Sequence, residues 1–583
     1  MQTFIHYAVA LILVFSFVVQ LDAVTVNPIA HLCPTNKIAP RRKRYDTHPR
    51  TFGQFYNLLT PNSPSSLQEQ PQEDLPYDCG DIEDYDENDI GSVTQRPIRR
   101  QGYQRNHSKK KGSSHSHRPS HQSSNQPSHQ QLLNQHHQNG MKPSSKPTRP
   151  PPAGYFGTNS YTPPKPQKPS EKNPYLEALK RKPWESVQKY IEVRPGAFIF
   201  YWLYYADGVQ FGSDHKPLII WIQGGPGHAA TGLANFAEIG PLTMDMRPRN
   251  HTWVNGRNVL LIDHPVGSGF SYAVNETLLV KTDKEAAKDL RRAIKEFYNT
   301  HREFRKTPTY IFGQSYGGKL CPRLGYYLHR AIKNNRLKMN FKGIGIGSGW
   351  VNPKLSTLAQ PEFLYNMGVI DQPTYTKTMK LARNMSYLID KKEYITAENL
   401  DSTLFHTLIL EAGMEINFNN VNQPSVYSAL TDLAEKVNRY VKPTLQEVCQ
   451  TLTWTWLSME AYESLTDSFL VPSNKFLETL LDRTELKIAV YNGNLDVVTP
   501  LAGASNWVHA LKWHGAQEFM NARRIPIRGN KNGFYKAARQ LSFWTVFGSG
   551  HWVPEDNPTA MEHILEYMIE DTNFVHPDIS NNN

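Results

Sequence analysis

Thr309 to Lys319 reads T-Y-I-F-G-Q-S-Y-G-G-K. An apolar run, Tyr310-Ile311-Phe312, stops at Gly313; Ser315 follows, and Gly317 and Gly318 lead into a helix-forming stretch. G-x-S-x-G between a strand and a helix is the pattern of a nucleophile elbow. A turn that sharp holds the serine in a strained conformation and needs neighbours without side chains. It lifts the hydroxyl above the sheet and aims the first helix amides at the point where an oxyanion develops. A serine hydroxyl is a weak nucleophile at its own pKa, so it needs a base, and the base needs an orienting acid. In chains built around such an elbow the order is Ser, then Asp or Glu, then His, each after a strand. Asp496 occurs in Y-N-G-N-L-D-V-V-T-P after the strand-like Ile488–Tyr491, and His551 in F-G-S-G-H-W-V-P after Thr545–Phe547. A histidine among glycines is more often an ordinary loop residue, but position and spacing here favour the catalytic reading. Gln223-Gly224-Gly225-Pro226-Gly227 ends another apolar run. Its exposed backbone amides predict an oxyanion hole in which the amide of Gly225 joins that of Tyr316. Asp263 and His264 precede the serine, out of order for a triad, and read as structural. Cys321 reads as a buried thiol.

These residues need a scaffold, and the chain supplies alternating elements. Phe198–Ala206 is a dense aromatic strand pattern, while Leu218–Ile222 and Val259–Asp263 are continuous apolar runs suited to strands covered on both faces. Thr282-Asp283-Lys284-Glu285 reads as a capping box opening a helix with Ala287, Leu290, Ile294 and Phe297 on one face. Phe341–Ser348 is a further strand. Strand and helix in alternation predict an α/β fold with a mostly parallel sheet and helices on both faces. From about 351 to 482 the pattern turns helical and polar, which predicts a cap inserted between strands.

The ends of the 583-residue chain differ in character. Met1 to Ala23 has the apolar core and cleavage-site residues of a secretory signal, and no later run is long enough to span a bilayer. Residues 24–175 read as a largely disordered extension. It holds the tetrabasic Arg41-Arg42-Lys43-Arg44, with Arg44 a candidate proprotein-convertase site, and an acidic block around Tyr77 and Tyr85. A stretch rich in Pro, Ser, Gln and His follows; its His115, His117, His136 and His137 imply no fixed metal geometry, and neither metal nor cofactor is expected. Much of the net charge of +11 lies in this extension and not on a folded face, which argues against a nucleic-acid partner. Asn106, Asn250, Asn275 and Asn384 are glycosylation candidates. The four cysteines, Cys33, Cys79, Cys321 and Cys449, leave the pairing open.

From Trp184 to Glu566 the chain resembles the serine carboxypeptidases of the α/β-hydrolase fold, and among them the retinoid-inducible and vitellogenic-like branch. The resemblance rests on six motifs in order: W-I-Q-G-G-P-G, E-I-G-P-L, D-H-P-V-G-S-G-F-S-Y, G-Q-S-Y-G-G-K, Y-N-G-N-L-D and G-S-G-H-W-V-P. It implies a carboxypeptidase domain over 184–583 that removes single residues from peptide C-termini. It also implies the triad Ser315, Asp496 and His551, and oxyanion amides at Gly225 and Tyr316; the secreted or lysosomal location is expected from the signal-like Met1 to Ala23. Relatives grip the substrate's terminal carboxylate with an amide side chain and two glutamates. The amide falls on Gln223 and one glutamate on Glu238, but the other position is Gln314. His228-Ala229-Ala230 also departs from the Cys-Ser-Ser or Gly-Ser-Ser common in relatives. Two other readings remain at this stage: an acyltransferase on the same scaffold, and a non-catalytic secreted matrix protein whose polar arms do the work.

Overall fold

The computed structural model describes residues 172–570 apart from 182–183, 207–215 and 529–530. The signal-like segment, the tetrabasic run, the acidic block, Asn106 and the His-rich stretch lie outside the described residues.

Ten strands lie along one path, in the order β1 (Ser186–Arg194), β2 (Ala197–Tyr204), β4 (Asn258–Ile262), β3 (Leu218–Ile222), β6 (Pro308–Gln314), β7 (Asn340–Gly347), β8 (Lys487–Gly493), β11 (Leu541–Val546), β10 (Gly533–Ala538) and β9 (Ile525–Pro526). The short β5 (Tyr272–Ala273) pairs with β2. From β4 through β3, β6, β7 and β8 to β11 every neighbour is parallel, and the rims are antiparallel. The chain has an α/β-hydrolase-like fold with a mostly parallel central sheet. The parallel strands carry continuous apolar stretches because helices cover both faces; every residue of β3 and β4 is buried. Register aligns their C-terminal ends: Ile222 lies opposite Gly313, Gln314 opposite Gly347, Gly347 opposite Tyr491, and Gly493 opposite Val546. Four loops, after β3, β6, β8 and β11, therefore leave the sheet along one edge.

The helix Asp283–Thr300 starts with the capping box read from the sequence: the Thr282 side chain accepts the Glu285 amide, and Glu285 reaches back. The helix Tyr316–Lys333 leaves β6 so tightly that side chains are excluded at two points. A Cβ on Gly317 would stand 2.0 Å from the Ile222 carbonyl oxygen, and one on Gly313 would stand 2.4 Å from Cys321 Sγ. Between β7 and β8 lie the helices Pro353–Asn366, Gln372–Asp390, Tyr394–Glu411 and Tyr427–Lys436, among shorter ones. The first three close a satellite core in which Leu364, Leu404, Leu408 and Phe418 meet Val497, the residue after Asp496, while Leu430 and Leu433 of the fourth join the main core. Asn250, Asn275 and Asn384 are exposed. Cys321 is a buried free thiol, and Cys449 is disulfide-bonded. Among the described residues no helix is long and apolar enough to cross a membrane.

The contact at Gly317 predicts that Gly317→Ala lowers stability by about 3 kcal/mol, the upper range for forced overpacking. Gly256, at φ +75° with nothing within 4 Å of its added Cβ, should cost only about 1 kcal/mol on the same change, through backbone conformation alone. Urea midpoints of the two variants check the difference.

Candidate active site

Ser315 joins β6 to the helix Tyr316–Lys333 with φ 56° and ψ −123°, a region that L-residues enter only when surrounding structure forces them. Three backbone hydrogen bonds supply that force: Ser315 N donates to Gly347 O (3.0 Å), Trp350 N to Ser315 O (3.0 Å) and Lys319 N to Ser315 O (3.1 Å). Residues on either side of Ser315 are buried while Ser315 itself is partly open, so the turn presents its hydroxyl.

Asp496 leaves the end of β8 and His551 the end of β11. His551 Nδ1 lies 2.9 Å from Asp496 Oδ2, with the carboxylate fully buried. That contact fixes Nδ1 as the protonated nitrogen and leaves Nε2 as the basic one. Thr499 completes the pair: its N–H donates to Asp496 Oδ1 (2.9 Å), and its hydroxyl lies 2.7 Å from Asp496 Oδ2 and 3.2 Å from the Ser348 carbonyl oxygen. The histidine loop is held in turn by His551 N donating to Asn419 O (2.6 Å) and Gly550 N to Asp556 Oδ2 (2.7 Å). A ladder of hydrogen bonds therefore runs from the Ser315 backbone through Gly347–Ser348 and Thr499 to the Asp496–His551 pair. Among the described residues no hydrogen bond joins Ser315 Oγ to the ring itself.

The glycine loop after β3 lies directly on the serine. A Cβ on Gly224 would meet Ser315 Cβ at 2.6 Å and Oγ at 3.2 Å. Gly225 adopts φ +105°, open to glycine and not to other residues. Beneath the elbow, Tyr316 Oη donates to Asp283 Oδ1 (2.9 Å) and Lys319 Nζ to Asp283 Oδ2 (2.5 Å), both side chains buried. Beside the serine, Gln223, Glu238 and Gln314 come together. The amides of Gln223 and Gln314 both donate to Glu238 Oε1 at 3.1 Å, and Trp221 Nε1 donates to Gln223 Oε1 at 2.5 Å. Among the described residues Glu238 Oε2 and Gln314 Oε1 are buried with no partner.

Comparison with known proteins decides the family. Residues 178–571 match the Peptidase_S10 model, described as serine carboxypeptidase. The chain belongs to the serine carboxypeptidase family. The human protein named retinoid-inducible serine carboxypeptidase is 30% identical over 401 residues, covering 64% of this chain and 88% of that protein. Serine carboxypeptidase-like 51 of Arabidopsis thaliana is 30% identical over 409 residues, covering 63% and 88%. Among solved structures, Kex1(delta)p, a prohormone-processing carboxypeptidase from Saccharomyces cerevisiae, aligns with a TM-score of 0.60 at 19% identity, covering 67% of this chain and 93% of that one; that match speaks to the fold.

In this serine carboxypeptidase the electrostatics beside the serine are set by burial. Burial pushes the Glu238 carboxyl up to about 7, against the amides of Gln223 and Gln314 and the charge of His551. Burial likewise raises Asp263 to about 6 although Thr231 and Phe270 N–H groups bond its carboxylate (both 2.9 Å), and it lowers His264 to about 4. Both act as braces: Asp263 ties Thr231, four residues past the glycine loop, to Phe270 in the loop after β4, and His264 Nε2 lies 2.9 Å from the Gln223 carbonyl oxygen. Sequence reasoning missed Thr499, although D-x-x-T before a helix is a turn signal. It also missed the Asp283–Lys319 pair beneath the elbow: the sequence marks Asp283 only within a capping box and Lys319 only as the end of the elbow motif.

Glu238 predicts a pH dependence of stability. Its folded pKa lies above its unfolded value, so the folded state holds an extra proton between about 4.5 and 7 and loses stability as pH rises through that window. At about 1.4 kcal/mol per pH unit, the loss is about 3 kcal/mol. Between pH 4.5 and 7.5 wild type should lose about that much more stability than Glu238→Gln, as read by denaturant midpoints; parallel profiles refute the assignment.

Proposed function

We propose that this enzyme releases single C-terminal residues from peptides through an acyl-enzyme on Ser315. The observation that carries the reading is the His551–Asp496 contact of 2.9 Å at the strand-end edge that also holds the strained Ser315. His551 Nε2 takes the Ser315 hydroxyl proton as Oγ attacks the last peptide carbonyl. The amides of Gly225 and Tyr316 hold the oxyanion. His551 then gives its proton to the departing amine and Asp496 stabilises the imidazolium; water, activated by the same ring, releases the acyl group. Hydrogen bonds of this kind are often long before substrate binds and tighten in the complex.

Gln223, Glu238 and Gln314 receive the terminal carboxylate. Each amide has one N–H engaged with Glu238 Oε1, which leaves its second N–H for the substrate, and protonated Glu238 adds an O–H at Oε2. Gln314 keeps its donors at every pH, so a single carboxyl titrates where relatives have two. The chain enters the secretory pathway, and Asn106, Asn250, Asn275 and Asn384 carry glycans. The signal-like Met1–Ala23, the exposure of the last three sequons and the disulfide at Cys449 support this. Arg44 is a processing site in the same pathway.

Ser315→Ala should abolish labelling by a fluorophosphonate and cut turnover at least about 10⁴-fold, with a C-terminal peptide ladder read by mass spectrometry. Labelling that survives the substitution sinks the nucleophile assignment. Wild-type kcat/KM for a free carboxylate should fall as pH rises through about 7, as Glu238 loses its proton. Gln314→Glu sets a second carboxyl beside Glu238, and the dependence on acid should steepen. Superimposable pH–rate profiles would argue against the carboxylate site.

A further inference from the structure

His228 follows the glycine loop and belongs to no step above. Its backbone is zipped to the inserted cap: it forms an antiparallel bridge with Leu457, Ser458 N donates to Gly227 O (3.0 Å), and Ala229 N donates to Trp456 O (3.1 Å). The imidazole centroid lies 5.7 Å from the Trp456 ring, and Trp456 lies 6.1 Å from Tyr427. Three rings thus run outward from the glycine loop, the first two half-buried and Tyr427 exposed. Among the described residues nothing hydrogen-bonds the His228 ring. Burial and the nearby His551 charge push it down to about 4, which makes it a neutral, unengaged imidazole beside the proposed base.

A departing residue carries its carboxylate and its side chain on one Cα, so the pocket for that side chain must adjoin the carboxylate site. His228 and Glu238 stand on the one segment that leaves β3, and both feel the His551 charge. A second set of rings packs beside the elbow. Trp350 N donates to Ser315 O, and Phe469 stacks on Trp350 at 5.4 Å and on Tyr316 at 6.4 Å.

Building on the carboxypeptidase reading, we propose that His228 and Trp456 wall the pocket of the departing residue and select aromatic over small side chains there. An indole and a neutral imidazole offer flat faces and polarised edges, and a third ring packs on them at about 4.5–7 Å between centroids. A C-terminal alanine reaches neither. The free imidazole nitrogen adds a partner for a phenol or indole.

The test uses full-length protein and two peptides that differ only in ending with Phe or Ala. Wild type should favour Phe by about tenfold or more in kcat/KM. His228→Gly and Trp456→Ala should each lower that ratio about tenfold, within the range one apolar pocket contact supports. His228→Phe should restore most of it, which separates selection by a ring from a fold defect. A wild type that does not favour Phe, a ratio that stays within about twofold in both variants, or equal loss on the two peptides, overturns the proposal. Release by wild type with any of those three outcomes leaves the carboxypeptidase reading standing. No release by wild type overturns both.

Discussion

The structure depends on how closely one helix can approach two strands. Gly317 lies against the Ile222 carbonyl and Gly313 against Cys321 Sγ, so the helix Tyr316–Lys333 starts with almost no spacer after β6. That approach cannot be made with Ser315 in an ordinary conformation, and its φ of 56° is the result. A non-glycine residue held there costs on the order of 1–3 kcal/mol. The offset comes from the three backbone hydrogen bonds around it and from the packing of fully buried β3 and β6 neighbours. The strain is thus a consequence of helix-on-sheet packing, and the outward hydroxyl is a consequence of the strain.

The same approach buries charge. Lys319 is in the first turn of that helix, where a cation is opposed by the helix dipole, and it is wholly buried. Burial favours its neutral form, and Asp283 opposes this. Asp283 also accepts the hydrogen bond of the Tyr316 hydroxyl. A buried pair of this kind adds little net stability over an apolar pair of equal volume. It does fix geometry: Tyr316, whose amide is the proposed oxyanion donor, is anchored through its side chain to the first turn of the neighbouring helix.

The central parallel strands were legible in the sequence because burial on both faces leaves unbroken apolar runs, and the helix Asp283–Thr300 because its capping box is local. The parallel order of the sheet followed from alternation. The antiparallel rims did not: β1, S-V-Q-K-Y-I-E-V-R, is half-exposed and mixes polar with apolar residues, so it carries neither pattern cleanly. At the site, the positions that can be named from sequence are those whose chemistry is tied to a strand end. The Asp496–His551 contact joins two such ends. The link from Thr499 to Ser348 and His551, and the pairing of Asp283 with Lys319 near Ser468, were silent because tertiary packing brings those partners together. The grouping of Gln223, Glu238 and Gln314 came from family resemblance alone, since nothing in their spacing places three side chains on one carboxylate.

The insertion between β7 and β8 is more than a cover. Its segment Phe418–Val421 exchanges backbone hydrogen bonds with the acid loop, Val497 N to Phe418 O (3.0 Å) and Val421 N to Leu495 O (3.1 Å), and takes the His551 amide on Asn419. Trp456–Ser458 is paired with the glycine loop. Ser468 accepts the Lys319 ammonium on its carbonyl and bonds Asp283 with its hydroxyl (3.0 Å). Every loop that reaches the serine is therefore held by the sheet on one side and by the insertion on the other. A rigid lid that swung away as one body would break all of these contacts together and expose buried polar groups around Ser315, Asp496 and His551. The cost of unmet buried partners, about 1–3 kcal/mol each, is too large for such a motion to be routine. Substrate must enter past segments that lack these bonds, with Phe418–Val421, Trp456–Ser458 and Ser468 staying in place as part of the frame around Ser315.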